Sequence, residues 1–179
     1  MTVNSGNRLK VLYSREEIEA AINRLAEKIA LEYRGRNPVL IGVLKGSFIF
    51  MSDLVRRLDF PLEMEFVRLS SYGSSTESSG KIKLEHSVKT TIKGKDVLVV
   101  EDIVDTGLSL TFLMDYLKKK KPATLKLCCL MDKPSRRKAP VTIHYSGFIV
   151  PDQFLVGYGL DYAEQYRNLP DICILEGEK

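Results

Sequence analysis

The residues best suited to chemistry are three carboxylates in the stretch VLVVEDIVDTGLS at positions 97–109. Glu101, Asp102 and Asp105 follow an aliphatic run that predicts a buried strand. In an open α/β sheet, ligands bind beyond the carboxyl ends of the strands. Carboxylates at that place can bind sugar hydroxyls or Mg²⁺, or can carry a proton. The alternative is that Asp102 and Asp105 are helix caps, since Asp is a preferred N-cap residue.

The same stretch continues into a turn with the features of an anion site. Thr106, Gly107 and Ser109 lie where a helix is predicted to begin, and backbone N–H groups at such a turn can hold a phosphate. Gly107 would let the anion approach the backbone closely. Because carboxylates repel phosphate, the acids are expected to bind another part of the ligand.

Alternating helical and apolar segments would position these residues. Ser14 and Glu17 fit a capping box at the start of the first helix. The predicted helices cover 14–34, 48–58 and 108–121, and the predicted strands cover 39–44, 62–69, 81–85, 97–100, 125–131, 141–145, 154–157 and 172–175. Strands that alternate with helices indicate an α/β fold with a mainly parallel sheet. The serine-rich segment 70–80 predicts a mobile functional loop.

The overall composition is that of a soluble globular domain. Of 179 residues, 44% are hydrophobic and 28% charged, which favours one domain and excludes collagenous, disordered and disulfide-scaffold proteins. The net charge of +4 fits anionic ligands but is too small to indicate nucleic acid, and the lysine run 118–121 is typical of a solvated helix end. Three cysteines without a paired pattern, and no apolar segment long enough to span a bilayer or act as a signal peptide, predict a cytoplasmic protein without membrane contact.

The motif at 101–107 closely resembles the 5-phosphoribosyl 1-pyrophosphate (PRPP) loop of type I phosphoribosyltransferases, in particular that of hypoxanthine-guanine phosphoribosyltransferases. Four other segments resemble this family in the same order. Segment 44–47 is similar to its pyrophosphate loop, Ser71 and Tyr72 open its lid loop, Lys133 matches its purine-reading lysine, and 154–167 resembles its C-terminal purine and pyrophosphate segment. The resemblance covers about 11–175, nearly the whole chain.

The resemblance implies a single phosphoribosyltransferase domain over 1–179. Its core would be a mainly parallel twisted sheet flanked by helices. A small hood lobe would come from the chain ends, roughly 1–12 and 133–179, and the flexible lid loop would be 70–80.

The resemblance also implies how PRPP would be held. Glu101 and Asp102 would bind the ribose hydroxyls and Mg²⁺, and the turn that follows would wrap the 5′-phosphate. Leu108 stands where some relatives carry lysine, so we expect one charge fewer there. The peptide bond before Lys45 can be cis in the family. The residues implied in PRPP binding are Lys45, Gly46, Glu101, Asp102, Asp105, Thr106, Gly107, Leu108, Ser109 and Arg167.

A second group of residues is implied in binding the base. Asp105 would be the general base or proton carrier at purine N7. Lys133 would donate a hydrogen bond to the 6-oxo group, which favours oxo-purines over adenine. Phe154 would stack on the ring, Leu155 would offer backbone groups, and Asp161 would lie near the purine 2-position and hold a second Mg²⁺. The implied metal ligands are Glu101, Asp102 and Asp161.

The reaction that the resemblance implies is purine salvage, in which hypoxanthine or guanine and PRPP give IMP or GMP and pyrophosphate with Mg²⁺. The family also implies a homodimer or homotetramer. The alternatives are a transferase for another base, such as xanthine, adenine or a pyrimidine, a non-catalytic PRPP-binding regulator of the same fold, and a Mg²⁺-dependent phosphotransfer or receiver module. Lys133 argues against adenine, whereas a transferase that prefers xanthine stays open. The regulator would need a more basic surface to bind nucleic acid, and the receiver module would leave segment 154–167 without a role.

Overall fold

The computed structural model describes residues 8–71 and 82–177. The strands are β1 (Arg8–Tyr13), β2 (Val39–Leu44), β3 (Glu63–Ser71), β4 (Ile82–His86), β5 (Asp96–Val104), β6 (Thr124–Asp132), β7 (Tyr145–Ile149), β8 (Leu155–Val156) and β9 (Ile172–Glu176). The helices are α1 (Arg15–Tyr33), α2 (Phe48–Val55) and α3 (Leu108–Lys119), and a short 3₁₀ turn covers Pro134–Arg136.

Six strands form the central sheet in the order β4-β3-β2-β5-β6-β7. The strands from β3 to β7 in this order pair in parallel, and β4 pairs antiparallel with β3 at one edge. The predicted α/β fold with a mainly parallel sheet is therefore confirmed. Helices cover both faces of the sheet, which is why its inner strands are apolar throughout.

Alternate residues of β2 show how the two faces are covered. Leu40 packs with α1 and α2, whereas Val39 and Ile41 pack with α3. Helix α1 begins at the predicted capping box: Glu17 N–H donates to Ser14 Oγ at 3.4 Å, and Ser14 N–H donates to the Glu17 carboxylate at 2.8 Å. These two bonds satisfy backbone N–H groups that an uncapped helix leaves free.

A second sheet has the order β1-β9-β8 and is antiparallel. It joins the beginning of the described chain to its end, and β1 was not among the predicted strands. The boundaries of a hood lobe remain a prediction.

One predicted strand differs from the structure, and most of the predicted lid loop lies outside the described residues. The strand predicted at 141–145 is wrong, because the strand begins at Tyr145. The apolar side chains of Val141 and Ile143 pack against the α3 side of the core, but their backbone does not pair with a strand. The predicted lid loop lies outside the described residues beyond Ser71, the last residue of β3. Within the described ranges, no helix is long and apolar enough to cross a membrane.

Candidate active site

The acidic pair Glu101–Asp102 lies within β5, and not beyond its end as the sequence indicated. Both residues are buried, with 8% and 7% of their surfaces exposed. Burial, and then the negative charge of Asp102, raises the pKa of Glu101 well above its usual range. Neither Asp102 nor Asp105 caps α3, because the residue at the N-cap is Gly107.

These two carboxylates suit a divalent cation. Among the described residues, no ion pair joins a cationic side chain to either of them, and two buried carboxylates side by side repel each other. Oxygen ligands of this kind are those that Mg²⁺ prefers. No group of three acidic, His or Cys side chains that could hold a metal occurs in the described part of the chain. Asp161 therefore does not complete a site with Glu101 and Asp102, and further ligands would have to come from substrate or water.

The turn between β5 and α3 forms a small pocket of about 250 Å³. Gly107 has φ +81°, and a Cβ on it would lie 2.8 Å from the carbonyl oxygen of Ala139. The turn is fixed from outside, because Lys138 and Ala139 N–H donate to Thr106 O at 2.9 and 3.0 Å. Leu108 is partly exposed beside the turn. Among the predicted site residues, this pocket is lined by Glu101, Asp105, Thr106, Gly107 and Ser109.

A second pocket of about 660 Å³ adjoins the first, and Ile103 and Asp105 line both. It brings together all the residues predicted to bind the base: Asp105, Lys133, Phe154, Leu155 and Asp161. The aromatic ring of Phe154 is half-exposed and meets the Tyr162 ring edge-on, with centroids 5.5 Å apart. An exposed aromatic face beside a carboxylate is suited to a planar heterocycle.

Lys133 is 5% exposed, so it does not belong to a solvated basic loop. Its ammonium donates to Gln153 O at 2.8 Å, and its own N–H donates to Val104 O at 3.0 Å. Both bonds hold it at the pocket wall. A buried ammonium with free N–H groups is a strong donor to an oxo group.

The loop after β2 packs against the acidic pair. The Leu44–Lys45 peptide bond is cis. A Cβ on Gly46 would lie 1.7 Å from Asp102 Oδ2, and a Cβ on Gly159 would lie 2.2 Å from Gly46 O. Glycine is required at both positions because backbone and carboxylate approach so closely.

Two cations lie in ion pairs near this loop. Lys45 Nζ is 2.8 Å from a Glu164 carboxylate oxygen. Arg167 Nη2 is 2.6 Å from Asp161 Oδ1, and Arg167 Nη1 donates to Gly159 O at 2.7 Å. Lys45, Gly46 and Arg167 are therefore linked to each other through the 159–164 turn, although none of them lines the two pockets.

Several site residues were missed by the sequence analysis. Arg136, Asp152 and Gln153 line the larger pocket, and Arg136 Nε lies 3.4 Å from Asp105 Oδ1. The position of Arg136 just after Lys133 was a usable signal. Glu164 gave no signal, because only the folded turn brings it to Lys45. Tyr72 lies outside the described residues, and the side chain of Ser71 is likewise not described.

Comparison with known proteins agrees with this arrangement. The model of the phosphoribosyl transferase domain matches residues 9–163. The hypoxanthine-guanine phosphoribosyltransferase of Bacillus subtilis (strain 168) is 48% identical over 93% of both chains. That of Aquifex aeolicus (strain VF5) is 46% identical over 96% of this chain and 97% of its own. The bifunctional protein TilS/HprT of Listeria monocytogenes is 49% identical over 94% of this chain, which spans only about a quarter (26%) of its length.

Solved structures show the same likeness. A hypoxanthine phosphoribosyltransferase from Staphylococcus aureus superimposes with a TM-score of 0.90 at 42% identity, covering 93% of this chain and 91% of that one. A hypoxanthine-guanine phosphoribosyltransferase from Bacillus anthracis superimposes with a TM-score of 0.89 at 47% identity, covering 93% and 99%. The family model spans most of the chain, and full-length relatives are nearly half identical to it. The resemblance that the motifs indicate is therefore confirmed, and the chain belongs to the phosphoribosyl transferase family.

Proposed function

We propose that this chain is a purine-salvage transferase that converts hypoxanthine or guanine and PRPP to IMP or GMP and pyrophosphate. The observation that carries the proposal is that Asp105 lines both pockets. One pocket has the turn suited to a phosphate, and the other has the aromatic ring and the buried ammonium suited to an oxo-purine. A group at their junction can act on the bond that joins base and ribose.

Asp105 is proposed to manage the proton of the base. As the purine nitrogen forms its bond to ribose C1′, the bond from C1′ to the pyrophosphate oxygen breaks. The proton on N7 passes to the Asp105 carboxylate, and in the reverse reaction the same group returns it. The side chain is 39% exposed, which leaves it accessible to a bound base.

Lys133 is proposed to select the base. Its ammonium can only donate, so it favours a 6-oxo acceptor and disfavours the 6-amino donor of adenine. Phe154 would stack on the ring and Leu155 would offer backbone groups to its edge. Selection among hypoxanthine, guanine and xanthine depends on the 2-position, near which Asp161 would lie.

The remaining predicted residues are proposed to hold PRPP. The Thr106–Ser109 turn, including the Leu108 N–H, would bind the 5′-phosphate, and Lys45, Gly46 and Arg167 would bind pyrophosphate. Glu101 and Asp102 would hold the ribose hydroxyls and one Mg²⁺, and Asp161 would help hold a second. Mg²⁺ would neutralise charge on the leaving pyrophosphate. The lid loop, with Ser71 and Tyr72, would exclude water from the site.

We also propose a homodimer or homotetramer in the cytoplasm, with small molecules as its substrates and neither nucleic acid nor membrane as a partner.

A pyrophosphate-release assay tests the proposed reaction. The chain is mixed with PRPP and Mg²⁺ and then with hypoxanthine, guanine, xanthine or adenine in turn. We expect release with hypoxanthine and guanine and much slower release with adenine, and mixtures without base give the background. Fastest release with xanthine would favour the xanthine-preferring alternative. Binding of PRPP without release on any oxo-purine would reject the proposal in favour of a non-catalytic regulator.

A further inference from the structure

Glu164 lies between the two cations that are proposed to bind pyrophosphate. One of its carboxylate oxygens, Oε2, is 2.8 Å from Lys45 Nζ and 3.8 Å from Arg167 Nη2. A single anionic oxygen therefore faces both cations at once, as an oxygen of pyrophosphate would.

The turn that carries Glu164 holds it there. Glu164 N–H donates to Asp161 Oδ2 at 2.9 Å, and Ala163 and Glu164 both have left-handed backbone, with φ of 49° and 63°. Asp161 also binds Arg167 at 2.6 Å through its other oxygen. The same aspartate thus fixes the backbone of Glu164 through one oxygen and the guanidinium of Arg167 through the other.

The charges around Glu164 favour its ionised form. The hydrogen bond from Lys45, and then the charge of Lys45, lower the pKa of Glu164, and Arg167 and Arg68 act in the same direction. The side chains of Glu164 and Lys45 are 67% and 46% exposed. Their pair is therefore accessible to a ligand and weak enough to open.

We propose that Glu164 competes internally with pyrophosphate for Lys45 and Arg167. The carboxylate would neutralise Lys45 in the free enzyme and would be displaced when the pyrophosphate group of PRPP binds. It would also repel bound pyrophosphate and so assist its release. This rests on the proposed function, which assigns Lys45 and Arg167 to pyrophosphate. The apparent affinity for a ligand is its intrinsic affinity multiplied by the fraction of protein that is free to bind it. An internal competitor reduces that fraction, so it weakens binding of both PRPP and pyrophosphate.

The test is the affinity of Glu164→Gln for inorganic pyrophosphate, measured by titration calorimetry in MgCl₂ without any base. We expect the dissociation constant to fall about two- to fivefold, the range that an exposed ion pair supports. The KM for PRPP should fall by a similar factor while kcat does not rise. Glu164→Asp keeps the charge and should bind pyrophosphate more weakly than Glu164→Gln. Glu19→Gln removes another exposed glutamate that pairs with a cation, Arg15, and should change neither constant.

An unchanged or weaker affinity in Glu164→Gln would overturn the proposal, as would equal tightening in Glu164→Asp. Absence of pyrophosphate binding to the parent chain would overturn it too. The proposed transfer reaction is judged separately, by product formation in the parent chain, so failure of one does not count as failure of the other.

Discussion

Substitution of Gly46 by alanine would disturb the closest packing in the site. The added Cβ would lie 1.7 Å from Asp102 Oδ2 and 2.6 Å from Asp102 Cγ. The carboxylate would have to retreat by roughly 1.3 Å to reach the shortest contact that real Cβ atoms show, a displacement of the size that costs about 100-fold in rate when it misplaces a site. Asp102 is 7% exposed and accepts the Ile103 N–H at 2.8 Å, so it has little room to move.

We expect Gly46→Ala to lower the free energy of unfolding by about 1–3 kcal/mol, the usual cost of overpacking. A useful control is Gly94→Ala, because Gly94 lies before β5, at the end of the strand opposite to Asp102. A Cβ there meets nothing within 4 Å, and only its φ of +72° opposes alanine. That left-handed conformation costs about 1–2 kcal/mol. The two variants should therefore lose similar stability.

Activity should separate them. Urea unfolding gives the two stabilities, and initial rates of pyrophosphate release give kcat/KM for PRPP. We expect Gly46→Ala to lose about 100-fold in kcat/KM and Gly94→Ala to keep the parental value. If Gly46→Ala kept parental kcat/KM while folded, Asp102 would not need its present position, and its assignment to ribose and Mg²⁺ would be refuted.

Three further substitutions address the proton carrier, the base-reading lysine and the helix α1 contacts. Asp105→Asn should lower kcat by about 10²- to 10⁴-fold while the dissociation constant for PRPP stays largely unchanged in calorimetry; equal loss of both would reject the proton-carrier role. Lys133→Gln should lower kcat/KM for hypoxanthine by about 10- to 100-fold, since a charge-assisted bond to substrate is lost, and adenine rates should change little. Glu32→Gln should destabilise the chain by about 1 kcal/mol at pH 7, because hydrogen bonds from Lys126 and Tyr145 lower the pKa of Glu32 and thus stabilise its ionised form. The urea midpoints of parent and variant should converge as pH falls from the usual Glu pKa of 4.5 through the lowered pKa of Glu32. A difference in midpoints that persists in acid would exclude the charge of the carboxylate as the cause.

Local patterns predicted most of the fold because they report burial directly. The apolar run at β2 and the capping box at Ser14 are each encoded within a few residues. The strand β1 could not be found in this way. None of its six residues is fully buried, and it exists because it pairs with β9 from the far end of the chain. The strand predicted near Val141 was wrong for the opposite reason, since the apolar residues of this segment are partly buried without strand pairing.

Site residues that belong to a sequence motif could be predicted, whereas contacts that form only in the folded chain could not. Spacing and family resemblance named Asp105 and Lys133, which line one pocket. The contacts of Gly46 with Asp102, and of Glu164 with Lys45, join positions 56 and 119 residues apart. No local pattern encodes such contacts, because the first arises only when the loop after β2 meets β5, and the second only when it meets the turn after β8.

The order of the strands explains why such distant segments converge. In the sheet β5 lies between β2 and β6, and all three are parallel. Their carboxyl ends therefore meet at one edge, with the Lys45–Gly46 loop on one side of Asp102 and Lys133 on the other. In the proposed reaction this order places pyrophosphate beside β2, ribose over β5 and the base beside β6. Asp105 follows the central strand and lines both pockets, so the topology supports its proposed place, where the bond to the base would be made or broken.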